Sequence, residues 1–357
     1  IGKIALDQHV PALAASPDGN TVYVAVFASG NKTTTVSEGM VCDGWALNAP
    51  CTNSQGRQTP GGNPGPSTDH NGTQAPEVGL IVKYNSSNGK WEDERDRDWT
   101  QAVLFNLPDR DVFSINANTL AQTNQWSGVG TTLFNMAVNP ISGKVYVANT
   151  EARNEVRFEG PGIFAAAFKP PGEPSTVQGH LAESRITVLD GSSVLPRHLN
   201  KHINYNLRPA PSGTAAKSLS TPLEVVVSPD GAKLYVAGFG SGKIGVFNTS
   251  TLENDSFDPA LESANYIPVS GGGPGGLALD TARNRLYVLT RFDNGVSAVD
   301  LSNSSEISHV TLHNPEPTTV TQGRFMLYDA NATSSNGESS CASCHIFGDM
   351  DQLAWDL

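Results

Sequence analysis

The sequence predicts an all-β fold, and three observations carry that prediction. Gly and Pro number 35 and 23 among 357 residues while charged residues make up 16 %, which suits a chain of many tight turns, since each asks for one of those two residues. A hairpin motif recurs four times along the chain. A third strand of common form follows within the repeat.

The first hairpin is Ala12-Leu13-Ala14-Ala15-Ser16-Pro17-Asp18-Gly19 followed by Val22-Tyr23-Val24-Ala25. It returns as Met136-Ala137-Val138-Asn139-Pro140 before Val145-Tyr146-Val147-Ala148-Asn149, and as Val225-Val226-Val227-Ser228-Pro229-Asp230-Gly231 before Leu234-Tyr235-Val236-Ala237. The last copy pairs Gly276-Leu277-Ala278-Leu279-Asp280 with Leu286-Tyr287-Val288-Leu289. Each is two short strands joined by a tight turn. Third strands are expected at Val112-Phe113-Ser114-Ile115-Asn116, Ile186-Thr187-Val188-Leu189-Asp190, Ile244-Gly245-Val246-Phe247-Asn248 and Val296-Ser297-Ala298-Val299-Asp300. Three or four antiparallel strands per unit, repeated, is the make-up of a β-propeller blade, and a ring of about seven blades is expected if degenerate blades fill the gaps.

The anchoring tyrosines Tyr23, Tyr146, Tyr235 and Tyr287 are unevenly spaced, and two insertions account for much of this. Residues 39–77 hold Cys42 and Cys51 and then a Gly/Pro/Asn-rich tract without apolar periodicity, which reads as a surface excursion. Residues 158–184, with Pro170-Pro171-Gly172-Glu173-Pro174, form the second. The propeller is therefore expected over 1–313, its first residues Ile1-Gly2-Lys3-Ile4-Ala5-Leu6 reading as the outgoing strand of a blade begun upstream, with 314–357 as a different segment. Two glycine-rich runs imitate ligand loops. Gly238-Phe239-Gly240-Ser241-Gly242-Lys243 opens onto a strand, where no helix N-terminus could hold phosphate, so it reads as a blade turn. Gly271-Gly272-Gly273-Pro274-Gly275-Gly276 reads likewise.

The last segment carries the chemistry. Cys341-Ala342-Ser343-Cys344-His345 is a C-x-x-C-H run. Two thiols at that spacing can each add across a vinyl group of one haem, and the following histidine then lies beneath the iron as axial ligand, so the run is the signature of haem c attachment. A thioredoxin-type site would need a βαβ context, which is not visible. A zinc site would need Cys42 and Cys51 as its second pair, at a spacing of nine that suits no usual zinc knuckle. A structural disulfide between Cys341 and Cys344 is the remaining alternative. Cys42 and Cys51 themselves are expected to close the polar loop between them as a disulfide.

The hairpins resemble the YVTN-type β-propeller repeat of bacterial surface and periplasmic proteins. The segment Gln322-Gly323-Arg324-Phe325-Met326-Leu327-Tyr328-Asp329-Ala330, with Ser334-Ser335-Asn336-Gly337-Glu338 and the C-x-x-C-H run, is similar to the opening of a cytochrome c domain of the di-haem peroxidase type. The whole chain is similar to large bacterial proteins in which such a propeller runs directly into a cytochrome c region. That resemblance implies a propeller followed by a short partial cytochrome c segment over 314–357. Members of that group continue well past the haem motif, whereas twelve residues follow His345. A cytochrome c core needs several helices to bury its macrocycle. The chain is thus expected to be a piece of a longer polypeptide, whose further haem domains, or a separate redox protein, would be its electron partners.

Cys341 and Cys344 are the expected thioether anchors and His345 the expected proximal ligand. Four residues are weak candidates for the sixth position. Met350 follows His345 too closely to reach the other haem face. Met326 lies fifteen residues before Cys341 and could cross the ring edge, although a core position between Phe325 and Leu327 is the plainer expectation. His309 and His313 alternate along Ser308-His309-Val310-Thr311-Leu312-His313 and could face a haem, with a solvated strand face as the plainer expectation. The sixth ligand is expected from outside the sequence, or the position is open. His198 and His202 have a helical i, i+4 spacing for metal, but Arg197 and Lys201 beside them disfavour a cation. The mixed-sign run Glu92-Asp93-Glu94-Arg95-Asp96-Arg97-Asp98 reads as a solvated loop rather than a calcium site.

The formal charge of −12 argues against nucleic acid and anionic membrane as partners and suits a cationic redox partner. No run of eighteen apolar residues offers a transmembrane segment. Haem c is attached outside the bacterial cytoplasm, which indicates the periplasm or the cell surface. The leading expectation is an electron-transfer protein with one covalent haem c. Two alternatives are a di-haem peroxidase-like or cofactor-maturing oxidase fragment, and a non-redox propeller serving as a binding or cell-surface module. The enzyme reading needs a second haem site, and one C-x-x-C-H run is present.

Overall fold

A computed structural model of the protein describes residues 12–42, 50–53, 55–64, 71–74, 76–106, 109–158, 176–207 and 209–355. The chain divides into two compact units. The first takes in Ile1–Ser29, Arg110–Ala152 and Ala182–Asp351, and the second Gly30–Asp109, Arg153–Leu181 and Gln352–Leu357. Residues 1–6, expected as a strand, and most of the 158–184 insertion lie outside the described residues.

Four four-stranded antiparallel sheets build the first unit. The first sheet contains Ala12–Ala15, Thr21–Ala25, Val112–Asn116 and Gln122–Trp126. The second contains Thr132–Val138, Val145–Ala152, Ala182–Asp190 and Ser193–His198. Pro222–Val227, Lys233–Gly238, Lys243–Asn248 and Ile267–Pro268 form the third. Pro274–Asp280, Arg285–Thr290, Gly295–Asp300 and Ser305–Thr311 form the fourth. Within each sheet the strands follow chain order, and the first strands of successive sheets lie against one another. These are the blades of a β-propeller. Four blades are present among the described residues, against an expectation of about seven.

The repeated Tyr-Val dipeptide has a common place and a common cause. Tyr23, Tyr146, Tyr235 and Tyr287 each sit on the second strand, opposite Ala14, Ala137, Val226 and Ala278 of the first. Side chains alternate across a strand, so this strand must fill two interfaces. Val145 and Val147 pack toward the first blade with Ala25, Val112 and Trp126, while Tyr146 and Ala148 pack toward the third with Leu234, Val236 and Phe247. One blade later Tyr235 and Ala237 repeat the step against Leu286 and Val288. Tyr287 is half-buried.

Both excursions leave a blade between its second and third strands. They join in the second unit, where Asn31 donates to Asn154 at 2.9 Å and Lys83 pairs with Glu155 at 3.1 Å. Strands Thr33–Val36, Leu80–Asn85 and Lys90–Glu92 form its three-stranded sheet, over a core of Val36, Leu80, Val82 and Trp99. Cys42 and Cys51 are joined as a disulfide with their Cα atoms 6.3 Å apart. The run at 92–98 is not merely a solvated loop. Asp93 is buried, accepting from Arg97 Nε at 2.7 Å and Trp99 Nε1 at 2.8 Å. A buried carboxylate persists only with such partners.

Phe247 is fully buried at the interface of the second and third blades. Phe247→Ala is expected to cost about 3–5 kcal/mol, read as a lowered midpoint in urea unfolding. A loss under about 1 kcal/mol would mean the blades do not share that core.

Candidate functional site

The C-terminal part of the first unit begins with the helix Thr318–Tyr328 and the short helix Ala330–Thr333, and then runs through buried residues to the C-x-x-C-H run. Two sets of side chains fasten it to the blades. The first centres on Glu338, which is buried three residues before Cys341. Its carboxylate meets His198 Nε2 at 2.6 Å, accepts from Asn200 at 2.9 Å, and accepts from the Tyr205 hydroxyl and the Ser184 amide. Burial disfavours the charged form of His198, but the hydrogen bond and charge of Glu338 outweigh it and raise the imidazole pKa. Burial likewise disfavours the Glu338 carboxylate, yet His198, Tyr205 and Asn200 hold its pKa below the ordinary range. Both shifts favour the ion pair.

The second set is aromatic. Phe27 and Phe292 lie two residues past the second strands of the first and fourth blades, Phe239 directly follows that of the third, and Phe134 stands near the start of the second blade's first strand. Phe347 stacks on Phe27 at 5.8 Å and meets Phe134 at 6.3 Å and Phe239 at 6.5 Å. Tyr328 reaches Phe239 at 5.2 Å and Phe292 at 6.1 Å, and Phe325 reaches Phe292 at 4.9 Å. One segment thereby touches all four blades. Phe347 has φ 53°, a left-handed backbone that costs a bulky residue of order 1–3 kcal/mol and persists only where packing imposes it. Gly272 and Gly273 also have positive φ, and a Cβ on either would lie within 2.7 Å of the Phe292 ring. The glycine run serves this close packing at the start of the fourth blade. The Gly238-to-Lys243 run is a turn between two strands of the third blade, as the sequence suggests.

The motif is a tight turn on this base. Cys341–Ser343 forms one 3-10 turn, the Ser343 hydroxyl accepts from the Ser340 amide at 3.1 Å, and the His345 amide donates to the Cys341 carbonyl at 3.0 Å. Ala342, Ser343 and Ile346 are buried, while Cys341 and His345 are exposed and Cys344 is half-buried. Both thiols are free, so the structural-disulfide alternative is not realised. Burial first, then the charges of Asp351 and Cys341, push the Cys344 thiol up to about 12. The His345 Nδ1 donates to the Asp349 carbonyl at 3.3 Å. That hydrogen bond assigns the tautomer and leaves Nε2 as the nitrogen open to a ligand, the arrangement by which metal-bound histidines are oriented.

The other candidates stand as follows. Met326 is 71 % exposed and not a core residue, on a helix that packs against the Cys341–Ser343 turn. Met350 is exposed. His313 is exposed, and its carbonyl accepts from Asn294. His309 is half-buried rather than solvated, with Nε2 2.6 Å from Asp293 Oδ2 and Nδ1 2.9 Å from Ser297 Oγ, so both ring nitrogens are engaged. His198 and His202 are not on a helix, since His198 ends a strand and His202 bonds Thr214 O and Ser218 Oγ at 3.2 Å. No group of three or more His, Cys, Asp or Glu able to hold a metal occurs among the described residues. No helix among them is long and apolar enough to cross a membrane.

No protein-family model matches the chain, and no curated protein matches it. Solved structures similar to it include hydrazine synthase of Kuenenia stuttgartiensis, at 14 % identity and TM-score 0.39 over 84 % of this chain and 85 % of that one. The periplasmic gluconolactonase PpgL of Pseudomonas aeruginosa is similar at 14 % identity and TM-score 0.41, over 88 % of this chain and 61 % of that one. The β-propeller domain of Myceliophteria thermophila Cps50 (Swd1) is similar at 8 % identity and TM-score 0.38, over 88 % and 61 %. At these values the likenesses add nothing to the reading of the site.

The Glu338–His198 pair gives the fastening a pH window. The contribution of His198, whose pKa is raised, is full below its ordinary 6.5 and fades as pH climbs through the raised value. That of Glu338, whose pKa is lowered, is full above its ordinary 4.5 and fades as pH falls through the lowered value. Hydrogen exchange across residues 334–351, corrected for intrinsic rates, is expected to show strongest protection between those two values and weaker protection at alkaline pH. Glu338→Gln should remove this pH dependence and cost about 3–5 kcal/mol of local stability.

Proposed function

We propose that the chain is an extracytoplasmic c-type cytochrome that passes electrons through one haem c mounted on a β-propeller. Cys341 and Cys344 would hold the group through thioether bonds and His345 would ligate the iron through Nε2. Bound there, the haem supplies one-electron redox chemistry, with axial ligand and burial setting its potential. The chain's own residues position it. Glu338 and Phe347 fix the turn on the blades, and the Asp349 carbonyl sets the imidazole tautomer and angle.

The observation that carries this reading is the donor set itself. Two free thiols, one exposed and one half-buried, and an exposed imidazole oriented by a carbonyl are carried on one turn whose Ala342, Ser343 and Ile346 side chains are buried. Met326 is the favoured internal source of a sixth ligand, because its thioether is exposed and its helix adjoins the Cys341 turn. The Cys42–Cys51 disulfide is in keeping with an oxidising compartment, the periplasm or the cell surface. The charge of −12 favours a redox partner with a basic face.

Protein produced in cells able to mature c-type cytochromes is expected to be coloured, with a haem spectrum that stays with the polypeptide in acid acetone. The double replacement Cys341→Ser, Cys344→Ser should lose the colour while the propeller still folds. Colour that acid acetone extracts, or iron-free native protein, would overturn the proposal. The iron-free result would leave the propeller as a binding or surface module.

A further inference from the structure

An open cleft of about 310 Å³ lies between the fourth blade and the helix Thr318–Tyr328, and no residue of the C-x-x-C-H run lines it. Its lining combines Phe292 and Phe325 with Asp293, Glu316 and the amides of Asn314 and Gln322. The size is at the lower end for small-ligand sites, about 300–1,000 Å³. We propose that this cavity binds a small organic cation through an alkylammonium head group.

The charge distribution carries the argument. Asp293 is held in place by two donors, His309 Nε2 at 2.6 Å on one oxygen and Thr290 Oγ1 at 2.8 Å on the other. A carboxylate has about four acceptor sites, so acceptor capacity remains on this lining residue. Among the described residues the ion-pair partner of Asp293 is His309, with no Lys or Arg on it. His309 in turn faces Glu306 at 3.8 Å and Ser297 at 2.9 Å. The group of Asp293, Glu306 and His309 therefore stays negative whether or not the imidazole is protonated. Glu316 is already matched by Arg324, which also donates to the Arg291 carbonyl at 2.8 Å.

An anion would be repelled from this lining, and a neutral ligand would gain nothing from its net negative charge. A hard divalent cation needs six or more oxygen ligands, and phenyl rings occupy part of this wall. An alkylammonium group matches both components, its charge meeting Asp293 and its methyl or methylene surface lying on the 42 % exposed Phe325 ring. The site is built from blade and helix residues alone and does not depend on the haem reading.

The test titrates the full chain with choline and with its uncharged isostere 3,3-dimethylbutan-1-ol, by calorimetry or NMR. Choline should bind about tenfold or more tightly than the isostere, a margin of the size expected for a desolvated cation–π and ionic contact. Asp293→Asn should abolish that preference. Phe325→Ala should weaken choline severalfold, and because that ring is already partly exposed it keeps the test open if Asp293→Asn fails to fold. Equal affinity for the two probes, absence of choline binding, or unchanged binding in both variants would overturn the proposal.

Discussion

A strand buried on both faces has no side on which to place polar groups, and the second strand of the inner blades lives under that constraint. Val145 and Val147 look one way and Tyr146 and Ala148 the other. Leu234 and Val236, opposed by Tyr235 and Ala237, repeat the arrangement. Each strand thereby serves as wall for two hydrophobic cores, and the blades cannot shift independently. Loops between strands are the free variable. Two of them, both between a second and a third strand, have grown into a separate compact unit without disturbing the register from Thr21 to Asn116 or from Val145 to Leu189.

On that base the C-terminal segment is fixed by chemistry of two kinds. Aromatic contacts of the segment reach all four blades, and those of Phe347 with Phe27, Phe134 and Phe239 accompany a left-handed backbone that a bulky residue rarely adopts alone. The Glu338 network is local and directional. Removing one member would strand a buried charge, so the pair acts as a latch rather than a large source of net stability. A redox group attached to this turn would sit at a defined distance from whatever approaches it, which is what an electron carrier requires of its protein.

Much of this was legible in the residues. The Tyr-Val hairpins are visible because two-sided burial forces near-continuous apolar runs, and all four expected third strands pair where the repeat places them. Harder to read was the distance between partners. The third strand of the first blade lies far along the chain from Tyr23, which pairs with Ser114 across the whole first excursion. Local pattern carries no information about such returns. Glu338 is hidden as well, one acidic residue in a polar lead-in, and its partner His198 stands out in the sequence only for its spacing from His202. A buried ion pair formed across 140 residues leaves no periodic trace. Asp93 is of the same kind, since its burial depends on Trp99 folding back over it.

The proposed haem would be bonded through the Cys341 and Cys344 sulfurs. Arg324 is the last Lys or Arg before the motif, so trypsin releases the motif in a peptide beginning at Phe325. Mass spectrometry of that peptide from native protein should show the mass of one haem added, with neither cysteine open to alkylation. A peptide of unmodified mass, with both thiols alkylated or joined to each other, would contradict the account.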